Sequence, residues 1–500
     1  MSVGRLAAAV LLLWSGWSWA AAASVPAPVR VATGLVQGHI AGNTVRYLGI
    51  PYAAPPVGAL RWQPPRAPAA WDGVLDAARF SPACIQMGGY FGSDDPATFG
   101  KPFGDEDCLY LNVWTPAPVD APRPVLVFIH GGAGVAGATS LGVYDATRLA
   151  GELGAVVVSM NYRLGFFGAM PVAEVQQDHA ASFGLLDQLQ ALRWVRDNIA
   201  AFGGDPDNVT VMGHSAGGVA IWTMLRAEAA SGLFTRAIVL SGIPLRVNPD
   251  KTREYGDELL RRLLRRDGML DRDDDLDAVR GQMGGDALRD YLYALDAGGI
   301  IEAAGELKPQ AAEPDDGDDV LNPVPTIVGS VGSEASMLLL KRYLEHDTLA
   351  FWDLINSGRS DLRVSDFFGS WTYLKFRVST YFANRTLRGL VDRSADRLAA
   401  TSVPVFRYAF EWDRMPQPWR KLFGAYHGID VPFLFGNFLD GTPNFSKFTW
   451  APQTVAEREA IHAALVAGLR GFVESGDPAR YPGAIEWKRW DQKHHYTVVR

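Results

Sequence analysis

The run Gly213-His214-Ser215-Ala216-Gly217 limits what this chain can fold into more than any other stretch of it. A short apolar run at residues 209–212 precedes it, and a helical pattern at residues 218–225 follows. A strand that hands over to a helix across so few residues must turn sharply. Small residues on either side of the serine permit that bend and leave its hydroxyl standing above the sheet. The amino terminus of the following helix then favours negative charge nearby. The bland alternative is a glycine-rich turn arising by chance, and the strand before it and helix after it count against that. Ser215 is the candidate nucleophile.

A second signal is His130-Gly131-Gly132-Ala133-Gly134, directly after an apolar run at residues 124–129. Glycines let backbone N–H groups come close to a substrate, as holding an oxyanion requires. The N–H groups of Gly132 and Ala133, with that of Ala216, form the candidate oxyanion hole. Losing one such donor typically costs about 3 kcal/mol of barrier. Gly132, Gly134 and Gly137 also spell G-x-G-x-x-G, the pattern of a dinucleotide site. That reading asks for an acidic residue at the end of the next strand. Ser159-Met160-Asn161 stands there instead, and no cofactor is expected.

Further runs with the character of buried strands stand at residues 155–160, 237–240 and 326–328. Between them, residues 180–201 repeat Leu185, Leu186, Leu189, Leu192, Trp194 and Ile199 at helical spacing. Strands alternating with helices predict an α/β fold, a mostly parallel central sheet flanked by helices. The Gly- and Pro-rich amino-terminal part reads as a small antiparallel addition. Residues 248–321 turn charged and helical and close on an acidic loop at residues 313–319, and aromatic-rich helices follow at residues 351–382. These stretches read as helical insertions over the active site. The acidic run reads as a solvated loop, not a metal site. The aromatics, with Trp419 and Phe423, read either as core or as the lining of an apolar pocket.

The 500-residue chain has a net charge of −8 and no basic block interleaved with aromatics, so nucleic acid is not an expected partner. Residues 1–23 have the form of a signal peptide. Arg5 precedes an apolar stretch from Leu6 to Ala20, and small residues lead up to Ser24. An uncleaved anchor is the alternative. No later segment is long and apolar enough to span a bilayer, so residues 24–500 are expected as one exported domain, periplasmic or secreted. Cys84 and Cys108 are the two cysteines. In an exported chain they are expected to form a disulfide, stabilising the fold by roughly 3 kcal/mol, with two free thiols as the alternative. No His/Cys set has metal-ligand spacing, and His494 and His495 sit side by side in a tail expected to be solvated.

Taken together, the chain resembles the type-B carboxylesterase/cholinesterase family of the α/β-hydrolase superfamily over nearly its whole mature length. The matching runs are Tyr47-Leu48-Gly49-Ile50-Pro51-Tyr52-Ala53, then Pro55-Pro56-Val57-Gly58 with Arg61, and Glu106-Asp107-Cys108-Leu109-Tyr110-Leu111-Asn112. Asn161-Tyr162-Arg163-Leu164-Gly165 follows, and then Phe202-Gly203-Gly204-Asp205-Pro206 leading through Asn208-Val209-Thr210 to the serine turn. The resemblance implies a serine carboxylesterase acting on small-molecule carboxylic esters. It also supplies two partners for Ser215. His427, in Gly424-Ala425-Tyr426-His427-Gly428, matches the family's base. Glu334, ending Gly329-Ser330-Val331-Gly332-Ser333-Glu334, matches its acid, although the glycine that often follows the acid is missing.

The order serine, acid, histidine is that of α/β-hydrolases. By the same resemblance Arg61 pairs with Glu106 and Arg163 with Asp187 to fix loops, and Cys84–Cys108 is the first disulfide loop. One departure stands at position 214, often Glu in this family and beside the choline group in cholinesterases. A histidine there, with an ordinary pKa of ~6.5, would not attract a quaternary ammonium. The alignment implies hydrogen bonds from Ser241 and Asp430 to His214, and a purely structural histidine is the equal alternative. A non-catalytic binding module on the same fold is the competing function, but such proteins typically lack a member of the trio.

Overall fold

The computed structural model describes residues 26–500 apart from residues 119–120, 177–181, 272–274, 316, 318–319, 345–349, 352, 355–356, 358, 360, 440–445, 484 and 492–495. Residues 1–23, expected as a signal peptide, and His494 and His495 lie outside the described residues.

A ten-stranded sheet organises the molecule. In chain order its strands are β1 (His39–Ala41), β2 (Thr44–Pro51), β3 (Tyr110–Pro116), β4 (Arg123–Ile129) and β5 (Val156–Met160). Then come β6 (Gly204–His214), β7 (Arg236–Leu240), β8 (Thr326–Val331), β9 (Val405–Phe410) and β10 (Thr497–Val499). In space they run β1-β2-β3-β5-β4-β6-β7-β8-β9-β10. From β5 to β10 every neighbouring pair is parallel, and β1, β2 and β3 join as an antiparallel edge.

The parallel part is covered on both faces, which is why its strands read as unbroken apolar runs. On β4, Leu126 and Phe128 enter one core while Val125, Val127 and Ile129 enter the other, following the two-residue period of a strand. Helix α1 (Phe183–Asn198), capped by the Ser182 hydroxyl on the Leu185 amide, lays Leu189, Leu192 and Val195 on one face. Helix α2 (Val455–Ser475) lays Leu465, Leu469 and Phe472 on the other. Each such side chain stabilises the fold by roughly 2 kcal/mol on burial.

Several expectations are refined. β6 is longer than its apolar run, because its first residues, including Asp205, Pro206 and Asp207, pass through a register shift before Val209. The amino-terminal part also forms a separate three-stranded sheet, in which Val29–Val31 pairs antiparallel with Gly34–Gln37 but Val74–Asp76 pairs parallel with it. Of the acidic run, Asp316, Asp318 and Asp319 lie outside the described residues, while Glu313 lies in a strand paired with Leu245–Val247 and Asp315 forms an ion pair with Arg226. The charged insertion is helical as expected, and its Leu259, Leu263, Leu288 and Ile300 share a third core with Trp62, Phe166 and Phe183. Among the described residues no helix is long and apolar enough to cross a membrane.

Candidate active site

Ser215 stands where β6 ends and helix α3 (Ala216–Leu225) begins, with φ 54° and ψ −114°. That left-handed backbone is costly for a residue with a Cβ, and its surroundings enforce it. A Cβ on Gly213 would lie 2.4 Å from the Gly217 carbonyl, and one on Gly217 would lie 2.1 Å from the Ile129 oxygen. Both glycines of the motif are therefore demanded by close approach. The Ser215 amide donates to the Leu240 carbonyl at 2.8 Å, tying the elbow to β7.

The loop after β4 lies against the elbow. Gly132 has φ 111° and Ala133 φ 56°. A Cβ on Gly132 would sit 1.9 Å from the Ala136 oxygen, and one on Gly137 would meet the His130 ring at 2.3 Å. The glycines that imitate a dinucleotide motif thus serve a tight turn. The Gly132 carbonyl accepts from Val135 and Ala136, while no hydrogen bond from the Gly132 or Ala133 N–H is found among the described residues. The Ala216 N–H belongs to the first turn of α3, where amides have no partner within the helix. His130, behind this loop, is buried and stacks on Tyr162. Burial pushes its imidazole down to about 4.

Glu334 follows β8 and His427 lies in the turn before the helix Asp430–Phe435. The Ser333 amide donates to the Ala425 carbonyl at 2.8 Å, joining the two loops. His427 Nδ1 donates to Glu334 Oε2 at 2.5 Å. The other carboxylate oxygen accepts from Ser241 Oγ at 2.7 Å and from the Val331 amide at 2.8 Å. Burial pushes the Glu334 carboxyl up, but the His427 charge and these three hydrogen bonds outweigh it and hold the group below its ordinary value. Burial likewise pushes His427 down, while Glu334 and Asp430 more than reverse this and raise it.

Two cavities meet at His427. The larger, about 680 Å³, is lined by Ser215, Ala216, Ala133, Glu334 and His427 with Leu185, Ile243, Leu338 and Leu387. The smaller, about 120 Å³, is walled by Gly131, Gly132, His214 and Gly428 with Tyr90, Phe91, Tyr144 and Trp450. The structure thus brings Ser215, Glu334, His427, Ala133 and Ala216 around one space, with Gly132 on its neighbour. A hydrogen bond between Ser215 and His427 is not among those formed.

The expectation for His214 is corrected. Ser241, with φ 52° at the end of β7, turns its hydroxyl to Glu334 and not to His214. Asp430 Oδ2 accepts from the Tyr408 hydroxyl at 2.6 Å. Both His214 ring nitrogens lack a hydrogen-bond partner among the described residues. The ring is wedged between Gly131 and Gly428, 5.0 Å from the His427 ring. Burial, then the His427 charge, hold its pKa well below the ordinary histidine value, so it is neutral. Of the two readings of the aromatics, core packing is the one that five side chains follow. Phe351, Phe367, Phe376, Trp419 and Phe423 pack together in the core and line neither cavity. The link from Ser241 to Glu334 was missed in the sequence; its only signal is a small polar residue just past a strand's carboxyl end.

The supporting pairs are present. Arg61 holds Glu106 with two nitrogens, at 2.5 and 2.7 Å, and also donates to the Leu295 carbonyl of the insertion. Arg163 holds Asp187 with side-chain contacts at 2.7 and 2.8 Å. Cys84 and Cys108 are joined as a disulfide.

The carboxylesterase family model matches residues 26–269. Over 484 residues the chain is 31% identical to the para-nitrobenzyl esterase of Bacillus subtilis (strain 168), covering 94% of each. Over 508 residues it is 31% identical to the cocaine esterase of Homo sapiens, covering 94% of this chain and 88% of that one. A solved PNB esterase structure superposes with a TM-score of 0.72 at 28% identity, over 95% of both chains.

Proposed function

The chain belongs to the carboxylesterase family and is a carboxylic ester hydrolase of α/β-hydrolase fold, and on that premise we propose that it works through an acyl-enzyme on Ser215. His427 takes the Ser215 proton as the hydroxyl oxygen attacks the ester carbonyl. Negative charge moves to the carbonyl oxygen, which the N–H groups of Gly132, Ala133 and Ala216 receive. The tetrahedral species expels the alcohol, to which His427 passes the proton. Water, giving its proton to the same imidazole, then cleaves the acyl-serine and releases the acid. Glu334 fixes the imidazole's tautomer and stabilises its charged form.

The observation that carries this reading is the Nδ1–Oε2 contact of 2.5 Å between His427 and Glu334. It leaves Nε2 as the free nitrogen of a ring that walls the same cavity as Ser215. Ser215→Ala is expected to lower hydrolysis of short p-nitrophenyl esters at least about 10³-fold. Near-normal turnover by that variant removes the assignment.

The two cavities suit the two halves of an ester, and their mostly apolar walls with a neutral His214 suit uncharged substrates. We further propose export, on the strength of residues 1–23; mass spectrometry of the mature protein should find Ser24 at its amino terminus.

A further inference from the structure

Helix α4 (Ser370–Ala400) buries Phe376, Thr380 and Val391 against the body of the protein. Its opposite side carries Trp371, Leu374, Val378, Tyr381 and Phe382, which are 67, 50, 48, 62 and 62% exposed. At 100° per residue these five fall within a single stripe about one third of the circumference wide. Scattered exposed hydrophobics are ordinary; a stripe of large ones, three of them aromatic, is not.

Along this part of the helix the charges are all of one sign. Lys375 and Arg377 flank the stripe, Arg385 extends it, all three are exposed, and from Ser370 to Val391 the sequence holds no Asp or Glu. The exposed Lys421 adjoins the same end, its carbonyl accepting from Arg377 at 3.1 Å. This local excess of cations stands out in a chain of net charge −8. An aromatic face edged with Lys and Arg is the composition of a helix that lies in a lipid–water boundary. A twofold contact with a second copy would press these cations against one another, with no acid on the stripe to neutralise them.

Helix α4 also reaches the cavity, from the side opposite the stripe. Helix Ala335–Tyr343 packs on α4, and its Leu338 is 62% exposed while lining the cavity of Ser215 together with Leu387 of α4.

We propose that this face docks on an anionic lipid surface, α4 lying in the plane of the headgroups. The chain then takes apolar esters from that surface into the neighbouring cavity. The second clause rests on the function proposed above; the docking does not.

The test is flotation of the full chain with vesicles of phosphatidylcholine containing about a third phosphatidylglycerol. Wild-type protein is expected to float with them at low salt, and weakly with phosphatidylcholine alone. Trp371→Ser/Tyr381→Ser/Phe382→Ser should lower the bound-to-free ratio at least about tenfold. Removing a lysine or arginine from such a surface costs about fivefold each, so Lys375→Gln/Arg385→Gln should weaken it by about 25-fold. All these variants should hydrolyse soluble p-nitrophenyl acetate like wild type, and Ser215→Ala should float like wild type. Absence of flotation, or undiminished flotation of the triple variant, overturns the proposal. So does a dimer in sedimentation that the triple variant dissolves, since a second copy would then cover the stripe.

Discussion

Glu334 and His427 are each opposed by burial and each rescued by the other, so neither charge is stable in that place alone. The consequence can be read in pH. On the proposed mechanism activity needs neutral His427, whose pKa the neighbouring carboxylates raise above the ordinary 6.5. The acid limb of kcat/KM is therefore expected above pH 6.5, somewhat higher than an unperturbed histidine would give. In Glu334→Gln the burial remains and the charge is gone, so the limb should move to lower pH while kcat falls about 10³-fold or more. A limb that does not move when Glu334 is neutralised would remove it as the partner. At this scale the sequence was legible unevenly. Ser215 announced itself through its glycines, whose need is visible in the contacts of Gly213 and Gly217. His427 was one of nine histidines, and only the resemblance separated it from the others. Whether Ser241 turns towards Glu334 or His214 depends on a backbone angle that no short motif encodes.

Among the elements, the loop after β4 is the most exposed to a small change. Gly132→Ala would place a methyl where the Ala136 carbonyl already stands and ask a left-handed backbone of alanine. The loop must open, and the candidate amide donors move with it. The expected result is a fall in kcat of about 100-fold with little change in KM, in a protein whose circular dichroism is unaltered; an equal loss in KM alone would mean the loop only binds. The strands of the sheet were readable because burial on both faces writes an unbroken apolar run into each. Their ends were not, because Asp205, Pro206 and Asp207 resemble a turn yet enter β6 through an irregular register. The aromatic stretch was ambiguous for a different reason. A phenylalanine in a core and one lining a pocket have the same composition and differ only in what faces them.

For the molecule as a whole, buried neutral imidazoles set how it meets acid. His130 has its pKa pushed down to about 4, below the ordinary 6.5 of an unfolded chain. Between those values the unfolded state binds the proton and the folded state does not, so stability falls as pH drops through that window. The loss due to His130 is on the order of 3 kcal/mol once pH reaches 4. His214 contributes in the same direction and His427 in the opposite one. His130→Phe keeps a ring against Tyr162 and loses the hydrogen bond to Gly131, costing about 1 kcal/mol at neutral pH. Its urea midpoint should then decline less between pH 7 and 4.5 than that of wild type, and an equal decline would exonerate His130.

The sheet order carries one more consequence. The bent serine leaves β6, but the proposed acid follows β8 and the proposed base follows β9, which is zipped in beside it only late in the chain. A polypeptide severed between residues 215 and 427 would retain an alcohol without the imidazole proposed to draw off its hydrogen. On the proposed mechanism hydrolytic power thus belongs to the finished object alone, and losing the stretch that carries residues 334 and 427 would disarm the catalyst without touching its nucleophile.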